Sequence, residues 1–125
     1  MKSLNAVQLI GRVGSDPEIL TQNEKILAKF SVATNESWLD KSTSEKRTVT
    51  EWHRVVCFNK VAEIVKNHLK KGAMIYVGGK LKTSKWQDKN NENRLTTEIV
   101  IDDLIMLDQK PEEKAAENGD ERGLE

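Results

Sequence analysis

At 125 residues with 37% hydrophobic content, the chain can bury one compact core but not two, so any function must fit on a single module. Lys and Arg number 20 and so do Asp and Glu, a formal neutrality that excludes the uniformly basic surface usual in nucleic-acid-binding domains. The average hides an asymmetry: residues 1–107 carry 17 basic against 13 acidic side chains and residues 108–125 carry 3 against 7, a mildly basic body with an acidic tail.

Leu4 to Val13 opens the chain with apolar and polar residues in alternation, the period of a half-buried strand. Gly14-Ser15-Asp16-Pro17 breaks it with turn chemistry. A second strand is expected from Lys25 to Thr34. Lys41 to Lys46, rich in Ser and Thr, reads as a long, mobile hairpin loop ahead of a third strand from Val49 to Asn59. Only Lys60 to Lys71 has helical period, with Val61, Ile64, Val65, His68 and Leu69 on one apolar stripe. Asn59 suits the N-cap, Lys70 and Lys71 the negative end of the dipole, and Gly72 a left-handed stop. Met74 to Lys85 and Leu95 to Leu107 complete five strands, separated by the polar stretch Asp88 to Asn93, a second long loop. From Gln109 onward, apolar residues are scarce and charge is dense. That is the composition of a disordered tail, so the folded domain is expected over 1–108 and the tail over 109–125.

Cys57 is the only cysteine and lies in the apolar run Val55-Val56-Cys57-Phe58, which makes it core filler and points to the reducing cytoplasm. No apolar run approaches the roughly 18 residues of a membrane span, and no signal-peptide pattern is present. An all-β chain of five strands with one short α-helix between the third and fourth has the element order of the OB-fold. That fold is a partly open, five-stranded Greek-key barrel whose face binds oligonucleotides. Gly11 and Gly78-Gly79 fall where such a barrel must bend or bulge.

The stretch Glu51-Trp52-His53-Arg54-Val55-Val56-Cys57-Phe58 is the most informative. Alternation puts Trp52, Arg54, Val56 and Phe58 on one face and His53, Val55 and Cys57 on the other. Rings that stack unpaired bases beside a cation that neutralises phosphate suit a single strand. An ordinary core strand with Trp52 and Phe58 buried fits the same pattern. Trp38 precedes one polar loop and Trp86 enters the other; each either faces a bound strand or anchors its own loop. Lys80, Lys82 and Lys85, with Lys60, Lys70 and Lys71 around the helix, form a discontinuous track for phosphates.

With these residues in hand, the chain closely resembles the bacterial and mitochondrial-type single-stranded DNA-binding proteins from about Leu4 to Leu107. The resemblance rests on Ile10-Gly11-Arg12-Val13-Gly14 with Asp16-Pro17-Glu18, Ala33-Thr34-Asn35-Glu36-Ser37-Trp38, and Glu51-Trp52-His53-Arg54-Val55-Val56. It continues through Leu69-Lys70-Lys71-Gly72, Tyr76-Val77-Gly78-Gly79-Lys80-Leu81, Lys85-Trp86 and Thr97-Glu98-Ile99-Val100. The resemblance implies a homotetramer that wraps single-stranded DNA and protects it during replication, recombination and repair, at the nucleoid. It makes Trp38, Trp52, Phe58 and Trp86 base-stacking residues. Lys41, Arg54, Lys60, Lys71 and Lys85 become phosphate contacts, and His53 a subunit-interface residue. His68, Leu95 and Gly78-Gly79 depart from the family pattern. Members commonly end in an acidic tip closing with Pro-Phe that recruits replication and repair proteins; here the sequence ends Arg122-Gly123-Leu124-Glu125, acidic without that tip.

An enzyme would need clustered groups, whereas His53, His68, Cys57 and Asp102-Asp103 are scattered, and adjacent aspartates in a regular strand point to opposite faces. Neither a metal nor a cofactor site is expected. The alternative of another class is a protein-interaction or RNA-binding module on the same fold.

Overall fold

The computed structural model describes residues 1–108, and the tail expected over 109–125 lies outside them. In chain order come β1 (Val7–Val13), β2 (Glu18–Gln22), β3 (Lys25–Leu39), β4 (Lys46–Phe58), α1 (Asn59–His68), β5 (Met74–Gln87) and β6 (Asn93–Met106). The five expected strands are β1, β3, β4, β5 and β6. The sixth, β2, folds back on β3 through Asn23 and Glu24, which sit at φ 51° and 67°. Two successive positive φ values make the tight turn whose twist matches a hairpin. No glycine marks it in the sequence.

The strands run in the order β1-β5-β6-β4-β3-β2, and β1 also pairs β3 at Arg12↔Ala33 and Val13↔Val32. That second pairing wraps the sheet into a barrel. Two seams are short, this one and the parallel pairing of β4 with β6 at Val55↔Ile99 and Val56↔Val100, so the barrel stays partly open. Inward-facing residues fill it in strict alternation: Ala28, Phe30 and Val32 from β3, Val55 and Cys57 from β4, Ile75 and Val77 from β5, Ile99 and Ile101 from β6. Burial pushes the Cys57 thiol up to about 11, against a weaker lowering by a hydrogen bond with the Ala28 backbone, as befits core filler.

Gly11 lets β1 approach β3, since a Cβ there would stand 2.3 Å from the Ala33 carbonyl oxygen. At Gly79 the same atom would meet the Val100 oxygen at 2.0 Å. The register against β6 shifts between Gly78 and Gly79, from Gly78↔Asp103 to Gly79↔Ile101. Asp102 is therefore the bulged residue, and alternation fails there. Asp102 and Asp103, expected on opposite faces, border the same hollow.

The helix ends differ from the sequence reading. No side chain caps α1: Phe58 is the N-cap residue, and Asn59 opens the helix with a left-handed φ of 55°. The helix stops at His68, so Lys66 and His68 occupy its last turn and Lys70 and Lys71 lie beyond it. Gly72 is left-handed at φ 93°, but in the turn that follows rather than at the helix end. Ala62, Val65 and Leu69 are the buried residues, while Ile64 and His68 face outward. Against the curved barrel the buried stripe is narrower than the sequence pattern.

Two hairpins extend past the barrel as ribbons, β3 with β4 and β5 with β6. Their ladders zip to Leu39↔Lys46 and Gln87↔Asn93. The polar stretches read in the sequence as loops, 41–46 and 88–93, are these tips to within a residue; what the sequence reading leaves out of the β3–β4 ribbon is the outer part of β3, residues 35–39, and the start of β4, residues 46–48. Aspartate closes both tips. Asp40 Oδ1 accepts the Ser42 N–H at 2.9 Å and its hydroxyl at 2.7 Å, and Asp88 Oδ1 accepts the Asn90 N–H at 2.8 Å and the Glu92 N–H at 3.0 Å. Both carboxyls are held below the usual range, Asp40 chiefly by the Ser42 hydroxyl and Asp88 chiefly by the Glu92 backbone N–H.

Candidate nucleic-acid interface

Outward-facing residues of β4 carry the site. Val55 and Cys57 point into the core, so Trp52, Arg54, Val56 and Phe58 line the opposite face, as alternation requires. Trp52 is 61% exposed and Phe58 48%, which rules out the core-strand role for both rings. Six residues of strand separate them by about 20 Å. Trp52 lies across the end of β1, where a Cβ on Gly14 would come within 2.3 Å of its Cζ3. Gly14 is a site residue that sequence reasoning missed; only its place at the end of β1 hinted at it.

Arg54 sits between the rings, directly across from Ser31, and borders a hollow of about 310 Å³ with Lys29, Ser31, Asp16 and Glu98. Among the described residues, Arg12, Arg47 and Arg94 are ion-paired, whereas Arg54 has no ion-pair or hydrogen-bond partner. No lysine is ion-paired there either. Lys29 was overlooked in the sequence, though the alternation Lys29-Phe30-Ser31 sends it outward beside Arg54. Farther along, Phe58 borders a wider hollow of about 610 Å³ with Val61, Lys80, Val100 and the two aspartates. Lys60 follows Phe58 at the start of α1 and is exposed.

The ribbon residues divide between faces. Trp86 pairs Arg94 and shares its face of β5 with Lys80 and Lys82, while Lys85 lies on the other face with Leu81 and Leu95. Trp86 is 50% exposed and donates its Nε1–H to Thr96 Oγ1 at 2.7 Å, so the ring is anchored on its own ribbon and still open to a ligand. Trp38 pairs Arg47, and Trp52 pairs Ala33 five positions away, so the two rings stand on opposite faces of the β3–β4 ribbon. Trp38 is 48% exposed. Lys41 is at that ribbon's tip, and the Lys71 N–H donates to Asp16 Oδ1 at 3.1 Å in the turn after α1. The geometry gathers Trp52, Arg54 and Phe58 on one line, with Lys60 beside it. Trp38, Lys41, Trp86, Lys85 and Lys71 are set around it rather than in it.

His53 occupies the face opposite Trp52, half-buried, and shares a 2.9 Å hydrogen bond with Thr34 Oγ1. Among the described residues, no three His, Cys, Asp or Glu side chains are grouped to hold a metal ion, and no helix is long and apolar enough to cross a membrane.

A solved structure described as Plasmodium falciparum SSB in complex with single-stranded DNA matches this fold with a TM-score of 0.78 and 42% sequence identity, covering 86% of this chain and 98% of that one. The pattern of the single-strand binding protein family matches residues 4–107, the full span from the start of the barrel to its last strand. The chain belongs to the single-strand binding protein family.

Proposed function

We propose that this protein binds single-stranded DNA without regard to sequence through the line Trp52, Arg54 and Phe58, with Trp38 and Trp86 extending the contact onto the ribbons. The observation that carries this is an unpaired arginine between two exposed rings. Bases stack on the rings at about 1 to 3 kcal/mol each, and phosphates between them meet Arg54 and the flanking Lys29, Lys60, Lys80 and Lys82. Lys41, Lys71 and Lys85 serve a strand that wraps past the ribbons and the far side of the helix. Roles in replication, recombination and repair are typical of the family, whose members bind DNA without catalysis. A reaction-free, cytoplasmic, nucleoid-associated protein fits this chain.

Quenching of tryptophan fluorescence during titration with poly-thymidine should be strong, and duplex DNA should give little. Equal quenching by duplex, or none by the single strand, overturns the stacking mechanism.

Oligomerisation is typical of the family, and a homotetramer is the assembly that suits this chain, with the His53 face at a subunit interface. A second surface fits a copy of the chain equally: Ile10, Tyr76 and Ile105 lie directly across from one another on β1, β5 and β6, and both isoleucines are exposed. Sedimentation at micromolar concentration should give a multimer, and Tyr76→Lys should dissociate it. A wild-type monomer counts against both faces.

A further inference from the structure

The two ribbon tips are built alike although their sequences and lengths differ. One reads Asp40, Lys41, then Glu45 and Arg47; the other reads Asp88, Lys89, then Glu92 and Arg94. In each, the aspartate N–H closes the turn on the glutamate carbonyl, at 2.8 Å for Asp40 to Glu45 and 3.1 Å for Asp88 to Glu92. The residue before the glutamate is left-handed in both, Ser44 and Asn91 at φ 61°. The arginine then reaches back to both acids. Arg94 Nε lies 2.9 Å from Asp88 Oδ2 and its Nη2 3.5 Å from Glu92, while Arg47 Nε lies 3.5 Å from Asp40 and its Nη2 3.8 Å from Glu45. Directly across each ladder from the arginine stands a tryptophan, Trp38 opposite Arg47 and Trp86 opposite Arg94.

We infer that this Asp–Arg–Glu staple is one device used twice, in which Arg47 and Arg94 are positioning residues that present Trp38 and Trp86 to the strand as a matched pair, and neither arginine contacts phosphate. The inference rests on the stacking function proposed above and adds how the outer rings are held. Opposed residues of an antiparallel pair share a face with Cβ atoms about 5 Å apart, so a pinned guanidinium fixes one side of its tryptophan. Exposed ion pairs add little to stability. Their use here is pre-organisation, because a ring already placed loses less freedom when a base arrives.

The test uses the full chain carrying Trp38→Phe and Trp52→Phe, so that Trp86 alone reports, titrated with poly-thymidine over a salt series. Onto it go Arg94→Gln and, separately, Asp88→Asn, which keeps an acceptor oxygen for the turn's backbone N–H groups. Both should weaken binding about threefold to tenfold, a fraction of one stacked base, and reduce Trp86 quenching. Neither should change the salt dependence. If Arg94 instead contacts phosphate, Arg94→Gln lowers the slope of log K against log salt by about 0.7 and Asp88→Asn, by freeing the cation, tightens binding. That pair of results overturns the inference, as do variants that bind and quench like their parent. A parent whose Trp86 is not quenched at all overturns the stacking function along with it. Arg47→Gln, read through Trp38 in the matching background, should act in the same direction but less, since its contacts are longer.

Discussion

Trp52→Ala should weaken poly-thymidine binding by about 1 to 3 kcal/mol, about 5- to 150-fold, the worth of one stacked base. The ring is 61% exposed and outside the core, so the melting temperature should shift little and the loss will belong to the site. Gly14→Ala provides a second route to the same ring. Its new Cβ would fall 2.3 Å from Trp52 Cζ3, and the ring must swing away while every aromatic side chain remains in the protein. Equilibrium titration should then show a loss in the same direction as Trp52→Ala, with quenching reduced. Full affinity in Trp52→Ala would remove Trp52 from the stacking residues and leave Phe58 and the ribbon tryptophans to carry the interaction.

The face that carries this site was legible because β-strand geometry is local. A period of two, read along Trp52 to Phe58, assigns sides with no knowledge of partners, and the barrel core confirms the assignment at Val55 and Cys57. Element order was legible for the same reason, and Gly78-Gly79 announced a bulge that the register bears out. Features that depend on partners were not legible. Trp38 and Trp52 look alike in sequence, each beside polar residues, yet the β3–β4 register sets them on opposite faces. Lys85 adjoins Trp86 in the chain and for that very reason faces away from it. β2 went unseen because its turn uses Asn23 and Glu24 in place of glycine, and the outer ends of β3 and β4, residues 35–39 and 46–48, went unseen as strand because Asn, Glu, Ser and Thr pair there across an exposed ribbon. Hydrophobic alternation reports burial, so it falls silent where the ribbons leave the barrel. Asn59 as an N-cap failed for a different reason: it follows a strand without a break, and the chain turns into the helix through its left-handed φ.

Raising monovalent salt from about 50 to about 200 mM should weaken binding about 100-fold, taking five neutralised phosphates at a slope of about −0.7 each. A formal charge of zero does not soften this expectation, because counterion release depends on local contacts and not on the net charge of the chain. The charges that matter are those without an internal partner. Arg12 is spent on Asp108, Arg47 on Asp40 and Glu45, and Arg94 on Asp88 and Glu92, whereas Arg54 and the lysines around it are free among the described residues. Arg54→Gln should therefore take about 0.7 off the slope and reduce affinity alike for poly-thymidine and mixed sequences, since phosphate contacts carry no base information. Arg54→Lys separates the remaining possibilities. A point charge keeps the slope, but a planar guanidinium also stacks on a base, and lysine cannot replace that. Retained slope with lost affinity in Arg54→Lys would make Arg54 a stacking residue as well as a phosphate contact, continuing the aromatic line from Trp52 to Phe58 without a gap. A wild-type slope near zero would sink the basic track altogether.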